Sequence, residues 1–378
     1  MFGLEPAGVE SSDIVRAKSR GDEYRRAAAA PAATKQQSLP AAIQPTTMIM
    51  TMTTTMPLRR RDTLALCALG AWMSTAAAAP EVQDDTWRDV ARQRDIPLRL
   101  RWPALPGPWP LLLHSHGLGG SRDGGDVWGQ TWCDAGFAVV HLQHPGSDTE
   151  VLRAGDVGGL RAAGNAPQLL ARAADVRAVL DQATQRQRDG APRWRDVRLD
   201  AVGVSGHSFG ALTALAVAGQ RYPAPGGLSD PRPRAFLALS PSSTRSRLTV
   251  QEQFGGITRP LMAVTGSLDG DPFGSYDTGE LRAQVYEGLP AGQRALLWLD
   301  GADHMTFSGN RQQRISGRGP FQRAAVAQQR EDAHHMLVAR LSTLWWRWRL
   351  LGDAAAQTLL QQAPAEPGWA AQDRLSLG

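Results

Sequence analysis

The sequence predicts an α/β protein with a mostly parallel central sheet and helices on both of its faces, and three observations predict it. Short apolar runs of four to six residues alternate with stretches suited to helices from Val82 onward, the pattern of strands and crossover helices. Most of these runs end in a loop rich in Gly, Ser, Asp or His. The residues with the most distinctive chemistry, Ser208, Asp269 and His304, lie at or just past run ends, where parallel sheets place their ligands.

The elements follow in order. Pro97–Trp102 alternates Leu98, Leu100 and Trp102 with Arg99 and Arg101, which suits an antiparallel edge strand with one solvated face. Trp109–His114 is a buried run that leads into His114-Ser-His-Gly-Leu-Gly-Gly120. Val127–Ala135 reads as a helix and Phe137–Leu142 as a strand running into His144-Pro-Gly-Ser-Asp148. Leu169–Gln185 reads as a helix with an apolar face at Leu170, Ala174, Val176, Val179 and Leu180. Ala201–Val204 is a strand and Ala211–Ala218 a helix. Ala235–Leu239, Leu261–Thr265 and Ala295–Leu299 complete the strands. His335, Val338, Leu341, Leu344, Trp345 and Trp348 recur at helical spacing, a closing helix packed on the sheet. Residues 363–378 read as a flexible tail, so the folded domain spans 80–362.

Between Ala201–Val204 and Ala211–Ala218 stands Gly206-His-Ser-Phe-Gly210. A strand that turns sharply into a helix forces the central residue into a strained conformation, and the residues two before and two after must then lack side chains. Gly206 and Gly210 meet that demand. Ser208 would stand exposed above the sheet, with the Phe209 amide in the first helical turn, where N–H groups lack internal partners. A serine hydroxyl needs a base within hydrogen-bond reach and a carboxylate to orient that base. Downstream, Gly266-Ser-Leu-Asp269-Gly-Asp271 and Asp300-Gly-Ala-Asp303-His304 follow strands, giving the chain order Ser, Asp, His. Either Asp269 or Asp271 could supply the acid, with Asp269 favoured. Gly117, Gly119 and Gly120 let the chain turn tightly and bring an amide toward a substrate oxygen.

On His114-Ser-His-Gly-Leu-Gly-Gly, Gly206-His-Ser-Phe-Gly, Thr265-Gly-Ser-Leu-Asp and Ala302-Asp-His-Met, the region from about Pro97 to Leu360 resembles the α/β-hydrolase superfamily. Within it, the chain is similar to secreted dienelactone-hydrolase-like, cutinase-like and platelet-activating-factor-acetylhydrolase-like serine esterases. The resemblance implies Ser208 as nucleophile, His304 as general base and then acid, and Asp269 as the orienting carboxylate. The backbone N–H groups of Leu118 and Phe209 would form the oxyanion hole. True dienelactone hydrolases use cysteine at the nucleophile position, so serine favours ordinary ester hydrolysis. Only Ser240–Arg259 occupies the superfamily's usual place for a lid, which implies a small or absent lid and an open cleft.

The other histidines have plainer readings. His114 and His116 lack further ligands at metal-binding spacing, so His116 is expected to brace its loop and no metal or cofactor is expected. His207 packs beside Ser208, His144 is a candidate for the pocket wall with a structural role as the alternative, and His334 and His335 belong to the closing helix. Leu118, Phe209, Trp128, Phe254 and Phe273 are candidates for apolar walls, each as readily core.

Composition bounds the rest. Of the 41 basic and 36 acidic residues, 9 and 6 precede Pro80, leaving 32 and 30 in the remainder. That near balance gives no case for nucleic-acid binding. Residues 56–79 have a basic start, an apolar middle and a small-residue end, the pattern of a signal peptide. Export to the periplasm or medium is expected, with no stable membrane insertion once the signal is removed. Residues 1–55 are then either an extension upstream of a true start at Met56 or a disordered tail. Cys133 would be the mature chain's lone cysteine, a small buried hydrophobe.

The expected function is an exported serine hydrolase acting on a small-molecule, lipid or polymer ester through an acyl-enzyme intermediate. A peptidase or amidase of the same fold is the alternative, and a non-catalytic binding protein that keeps the fold is a third reading.

Overall fold

The computed structural model describes residues 80–378 except 155–156, 224–226, 244–246, 273–276, 311–322 and 366–367. The expectations for residues 1–55, for the signal segment 56–79 and for Phe273 lie outside the described residues.

Nine strands form one sheet: β1 (Glu81–Asp89), β2 (Arg94–Trp102), β3 (Trp109–Ser115), β4 (Ala138–Leu142), β5 (Val197–His207), β6 (Pro233–Leu239), β7 (Leu261–Leu268), β8 (Arg294–Asp303) and β9 (Arg374–Leu377). Their spatial order is β1-β2-β4-β3-β5-β6-β7-β8-β9. The pairs from β4 through β8 are parallel, whereas β1–β2, β2–β4 and β8–β9 are antiparallel. The predicted mixed α/β class and mostly parallel sheet are therefore what the chain adopts.

The helices are α1 (Asp126–Asp134), α2 (Thr149–Ala154), α3 (Val157–Ala162), α4 (Ala166–Arg188), α5 (Phe209–Ala218), α6 (Val250–Phe254), α7 (Gly279–Gly288), α8 (Ala325–Gln329), α9 (Glu331–Leu351) and α10 (Ala354–Gln362). Strand side chains alternate between two cores because successive Cβ atoms point to opposite faces. Leu111, Leu113, Val140, Phe236, Ala238 and Ala263 join α4, α5 and Val285 of α7 on one face. Leu112, Val139, Leu237, Met262 and Val264 join Trp128 and Trp132 of α1 and Trp345 and Trp346 of α9 on the other. A sheet covered on both faces explains why its central strands are apolar runs without alternation. Each fully buried large side chain contributes roughly 1.5–3 kcal/mol.

Four expectations are corrected. Pro97–Trp102 is antiparallel but is not the edge, because β1 pairs along the whole of β2 and takes that place. β1 carries exposed charges at Glu81, Asp84 and Arg88, a common guard against edge-to-edge association. The tail is not wholly loose: Arg374–Leu377 pairs antiparallel with β8 as β9, with Leu375 and Leu377 packed on the apolar core. The buried stripe of α4 runs through Leu169, Arg172, Ala173, Asp175 and Val176, while Leu170 is exposed. Val176, Val179 and Leu180 are buried as expected, and hydropathy fails only in the first turns, where Arg172 and Asp175 are buried by virtue of their partners. Trp128 and Phe254, offered as cleft walls, are core residues with no exposed surface.

Candidate active site

Ser208 sits between β5 and α5 with φ 55° and ψ −117°, a left-handed excursion costly for a residue with a Cβ. Close approach explains both flanking glycines. A Cβ on Gly206 would lie 2.2 Å from the Gly210 carbonyl oxygen, and one on Gly210 would lie 1.9 Å from the Ser115 carbonyl oxygen. The turn lifts the serine out of the sheet, and Ser208 is partly exposed where its neighbours on β5 are buried.

The loop after β8 brings His304 to it. His304 Nε2 is 2.9 Å from Ser208 Oγ, and His304 Nδ1 is 2.9 Å from Asp269 Oδ1. The ring thus carries its proton on Nδ1, donates it to the carboxylate, and accepts from the serine hydroxyl on Nε2. His304 opens a short 3-10 turn, His304–Ser308, capped by the Asp303 side chain, which accepts from Thr306 N–H at 2.9 Å. Arg323 clamps the same carboxylate from outside, with Nε 2.9 Å from Asp303 Oδ2 and Nη2 3.1 Å from Oδ1.

Asp269, at the end of β7, is fully buried. Its Oδ1 accepts from Ser240 Oγ at 2.7 Å and its Oδ2 from Thr265 Oγ1 at 2.8 Å, while Arg282 Nε lies 3.2 Å from Oδ1. Burial pushes the carboxyl pKa up, but the Arg282 charge, the His304 hydrogen bond and charge, and the Ser240 hydroxyl together hold it below the usual value. Of the two candidate acids, Asp269 is the one that meets His304. Ser240 Oγ also stands 2.8 Å from His304 Nδ1, so a hydroxyl from the end of β6 bridges carboxylate and imidazole. Ser240 itself has φ 54°. Its place one residue past an apolar strand is the signal that could have found it; Arg282, from α7, leaves no comparable trace in the sequence.

His207 lies beside the pair as expected, with Nε2 2.9 Å from the His304 carbonyl oxygen and the ring centroids 4.9 Å apart. Burial first, then the His304 charge, holds its pKa well below the usual histidine value, so the ring is neutral and donates Nε2–H to that carbonyl.

The loop after β3 forms the opposite wall. Gly119 N–H donates to Ser147 O at 3.0 Å and Gly120 N–H to Gly117 O at 3.1 Å, whereas no such backbone acceptor takes the N–H of Leu118 or of Phe209 among the described residues. A Cβ on Gly117 would lie 3.5 Å from Ser208 Cβ, so this loop passes directly beside the serine. His116 braces it, with Nδ1 2.6 Å from Gly117 O and Nε2 accepting from His144 N–H at 3.0 Å.

Between the walls lies a cavity of about 300 Å³ whose lining includes Ser208, His304, Leu118, Leu160, Met305 and the glycines from 117 to 125. Leu160, from α3, is a wall residue the sequence did not indicate; a Cβ on Gly119 would touch it at 2.9 Å. Phe209 faces the core instead, with the Arg172 guanidinium 4.4 Å from its ring centroid.

His144, His334 and His335 are structural. His144 does not line the cavity: it is buried between Ser115 Oγ and Asp175 Oδ2, each 2.9 Å away. His334 Nε2 contacts Asp300 O at 3.0 Å and His335 Nε2 contacts Thr306 O at 3.0 Å, so both brace the His304 loop. Cys133 is buried and its thiol pKa is pushed up to about 12 by desolvation. Among the described residues no group of three or more His, Cys, Asp or Glu converges as a metal site, and no helix is long and apolar enough to cross a membrane.

Comparison with known proteins adds no identity: no family model matches the chain, and no curated protein matches it.

Proposed function

We propose that this chain is a serine hydrolase of the α/β-hydrolase superfamily that cleaves carboxylic esters through an acyl-enzyme intermediate. The observation that carries the reading is the unbroken relay from Ser208 Oγ to His304 to Asp269, with both separations 2.9 Å, built on a strained strand-to-helix turn that opens into a cavity. Chance burial of three polar residues would not also require glycine on either side of the serine.

In this reading Ser208 Oγ attacks the ester carbonyl carbon as its proton passes to His304 Nε2. The carbonyl oxygen becomes an oxyanion, for which the amides of Leu118 and Phe209, without a backbone acceptor among the described residues, are the donors; one such donor is worth about 3 kcal/mol. Asp269 stays ionised and stabilises the imidazolium through Nδ1–H. The C–O bond to the alcohol then breaks, and His304 Nε2–H protonates the leaving oxygen. Water, deprotonated by the same nitrogen, attacks the acyl-serine, and Ser208 regains its proton as the acid departs. The cavity's leucine and methionine lining supports an uncharged, apolar acyl group. Export through the 56–79 segment belongs to the same proposal.

Turnover of p-nitrophenyl acetate, butyrate and octanoate beside the matching p-nitroanilides tests it. Ester hydrolysis that disappears in Ser208→Ala is expected; faster anilide cleavage would replace the esterase reading with an amidase, and no turnover of either would refute both.

A further inference from the structure

Arg172 lies on the inner face of α4, far from Ser208 in sequence, and has no exposed surface. Its guanidinium is committed to the loops after β3 and β4. Nη1 donates to His116 O at 2.7 Å, Nη2 to Ser147 O at 3.2 Å and to Gly117 O at 3.4 Å, and Nε to Ser147 Oγ at 2.8 Å. Its flat face lies 4.4 Å from the Phe209 ring centroid. One side chain thus touches both segments whose amides border the cavity.

The peptide plane gives this contact its consequence. In a trans peptide the C=O and the following N–H point in opposite directions. Gly117 O accepts from His116 Nδ1 at 2.6 Å, from Gly120 N–H at 3.1 Å and from Arg172 Nη2 at 3.4 Å, so the Leu118 N–H of the same peptide is turned away from these donors. Leu118 lines the cavity, and a Cβ on Gly117 would lie 3.1 Å from His207 Nδ1 and 3.5 Å from Ser208 Cβ. The Ser147 carbonyl, itself held by Arg172, takes the Gly119 N–H, while the Leu118 N–H has no backbone acceptor among the described residues.

We infer that Arg172 is a positioning residue that sets the orientation of the Gly117–Leu118 peptide, and with it the oxyanion donor, while seating Phe209 at the first turn of α5. The inference rests on the serine-hydrolase reading. It separates Arg172 from the other arginines near Asp175: Arg94 pairs with Asp175 at 2.8 Å and holds the loop after β4 through Pro145 O at 2.7 Å, whereas Arg172 also reaches the loop after β3 through His116 O and Gly117 O.

The test compares the full-length parent with Arg172→Met, Arg172→Lys and Arg94→Met, by ester kinetics and by the affinity of an oxyanion-forming trifluoromethyl ketone. Arg172→Met is expected to lower kcat about 100-fold with KM within about threefold, and to weaken the ketone in proportion. Arg172→Lys, which keeps the charge and some donors, should fall between, and Arg94→Met should lose stability but keep kcat within about threefold. If Arg172→Met does not fold, Arg172→Lys carries the comparison. Parent-like kcat in a folded Arg172 variant, equal losses in Arg94→Met, or a kcat loss without weaker ketone binding would overturn the inference. A parent without any ester turnover would instead overturn the functional reading, and the inference with it.

Discussion

Ser115 Oγ lies 2.9 Å from His144 Nε2, the same separation that joins Ser208 Oγ to His304 Nε2, and each histidine presents Nδ1 at 2.9 Å to an aspartate, Asp175 or Asp269. The protein therefore contains two Ser–His–Asp chains, and their surroundings set them apart. Ser115 is 1% exposed and belongs to β3, so nothing can reach it. Ser208 stands on a strained turn at the cavity. Hydrogen-bond order alone does not make a nucleophile.

Substituting each serine should separate the two chains. Ser208→Ala is expected to remove turnover by about 10⁶-fold if the triad acts as a unit, with little change in thermal stability. Ser115→Ala should do the reverse, leaving His144 Nε2 unpaired at a cost of about 1–3 kcal/mol while turnover stays within about tenfold. Paired rate and unfolding measurements check both; loss of turnover in a stably folded Ser115→Ala would count against the assignment.

Asp269 and Asp271 are two residues apart, and Asp269 Oδ1 lies 2.9 Å from His304 Nδ1. Asp269→Asn keeps the shape but disturbs the imidazole tautomer, and about a 10⁴-fold fall in kcat is expected. Asp271→Asn should change kcat by no more than a few-fold. Steady-state kinetics of the two variants decide which carboxylate orients the base.

Gly210→Ala would place a Cβ 1.9 Å from the Ser115 carbonyl oxygen. Backbone has to move to relieve that overlap, and the move lies between the nucleophile and the loop bearing Leu118. The expected result is a loss of more than about 3 kcal/mol, or a folded protein with turnover reduced by at least about 100-fold. A variant with parental stability and parental rate would show that the turn is not as tight as described.

Acid should destabilise the fold through its buried histidines. Burial, then the Arg172 charge, lowers His144 from the usual 6.5 to about 4 despite the Asp175 hydrogen bond. Burial, then the Arg101 charge, lowers His141 to about 3. A histidine depressed in the folded state binds its proton first in the unfolded chain. Stability present above pH 6.5 is therefore lost as pH falls through the folded values, by about 3 kcal/mol for His144 alone. Asp175, burial opposed by His144 and Arg94 and lowered from 3.8 to about 2, extends the loss below about pH 4. Urea unfolding between about pH 7 and pH 4.5 should show a fall of several kcal/mol; a flat profile would mean these rings are not buried and neutral.

How much of this was legible in the sequence follows from what each signal measures. Apolar runs ending in Gly206-His-Ser-Phe-Gly210, Gly266-Ser-Leu-Asp269 and Asp300-Gly-Ala-Asp303-His304 marked the strands of the sheet and the three residues of the Ser208–His304–Asp269 relay. Local chemistry carries such signals because a turn between strand and helix constrains neighbours in the chain. Arg172, Asp175 and Arg282 were not legible, since each is buried by partners distant in sequence: Arg172 by loops 25 and 56 residues away, Arg282 by Asp269 and Ser240 at 13 and 42. Hydropathy scores an arginine as surface and cannot see the carbonyls that will receive it. β1 and β9 were missed for a related reason: Glu81–Asp89 is exposed along most of its length, and Arg374–Leu377 is too short to show a period.

Labelling of the full-length protein with a fluorophosphonate, followed by peptide mass mapping, tests the central claim most directly, because only a serine activated by its base reacts. One adduct per chain on the peptide containing Ser208, absent from Ser208→Ala and unaffected in Ser115→Ala, is the predicted result. A folded parent that takes up no label, or an adduct that persists in Ser208→Ala, would contradict it.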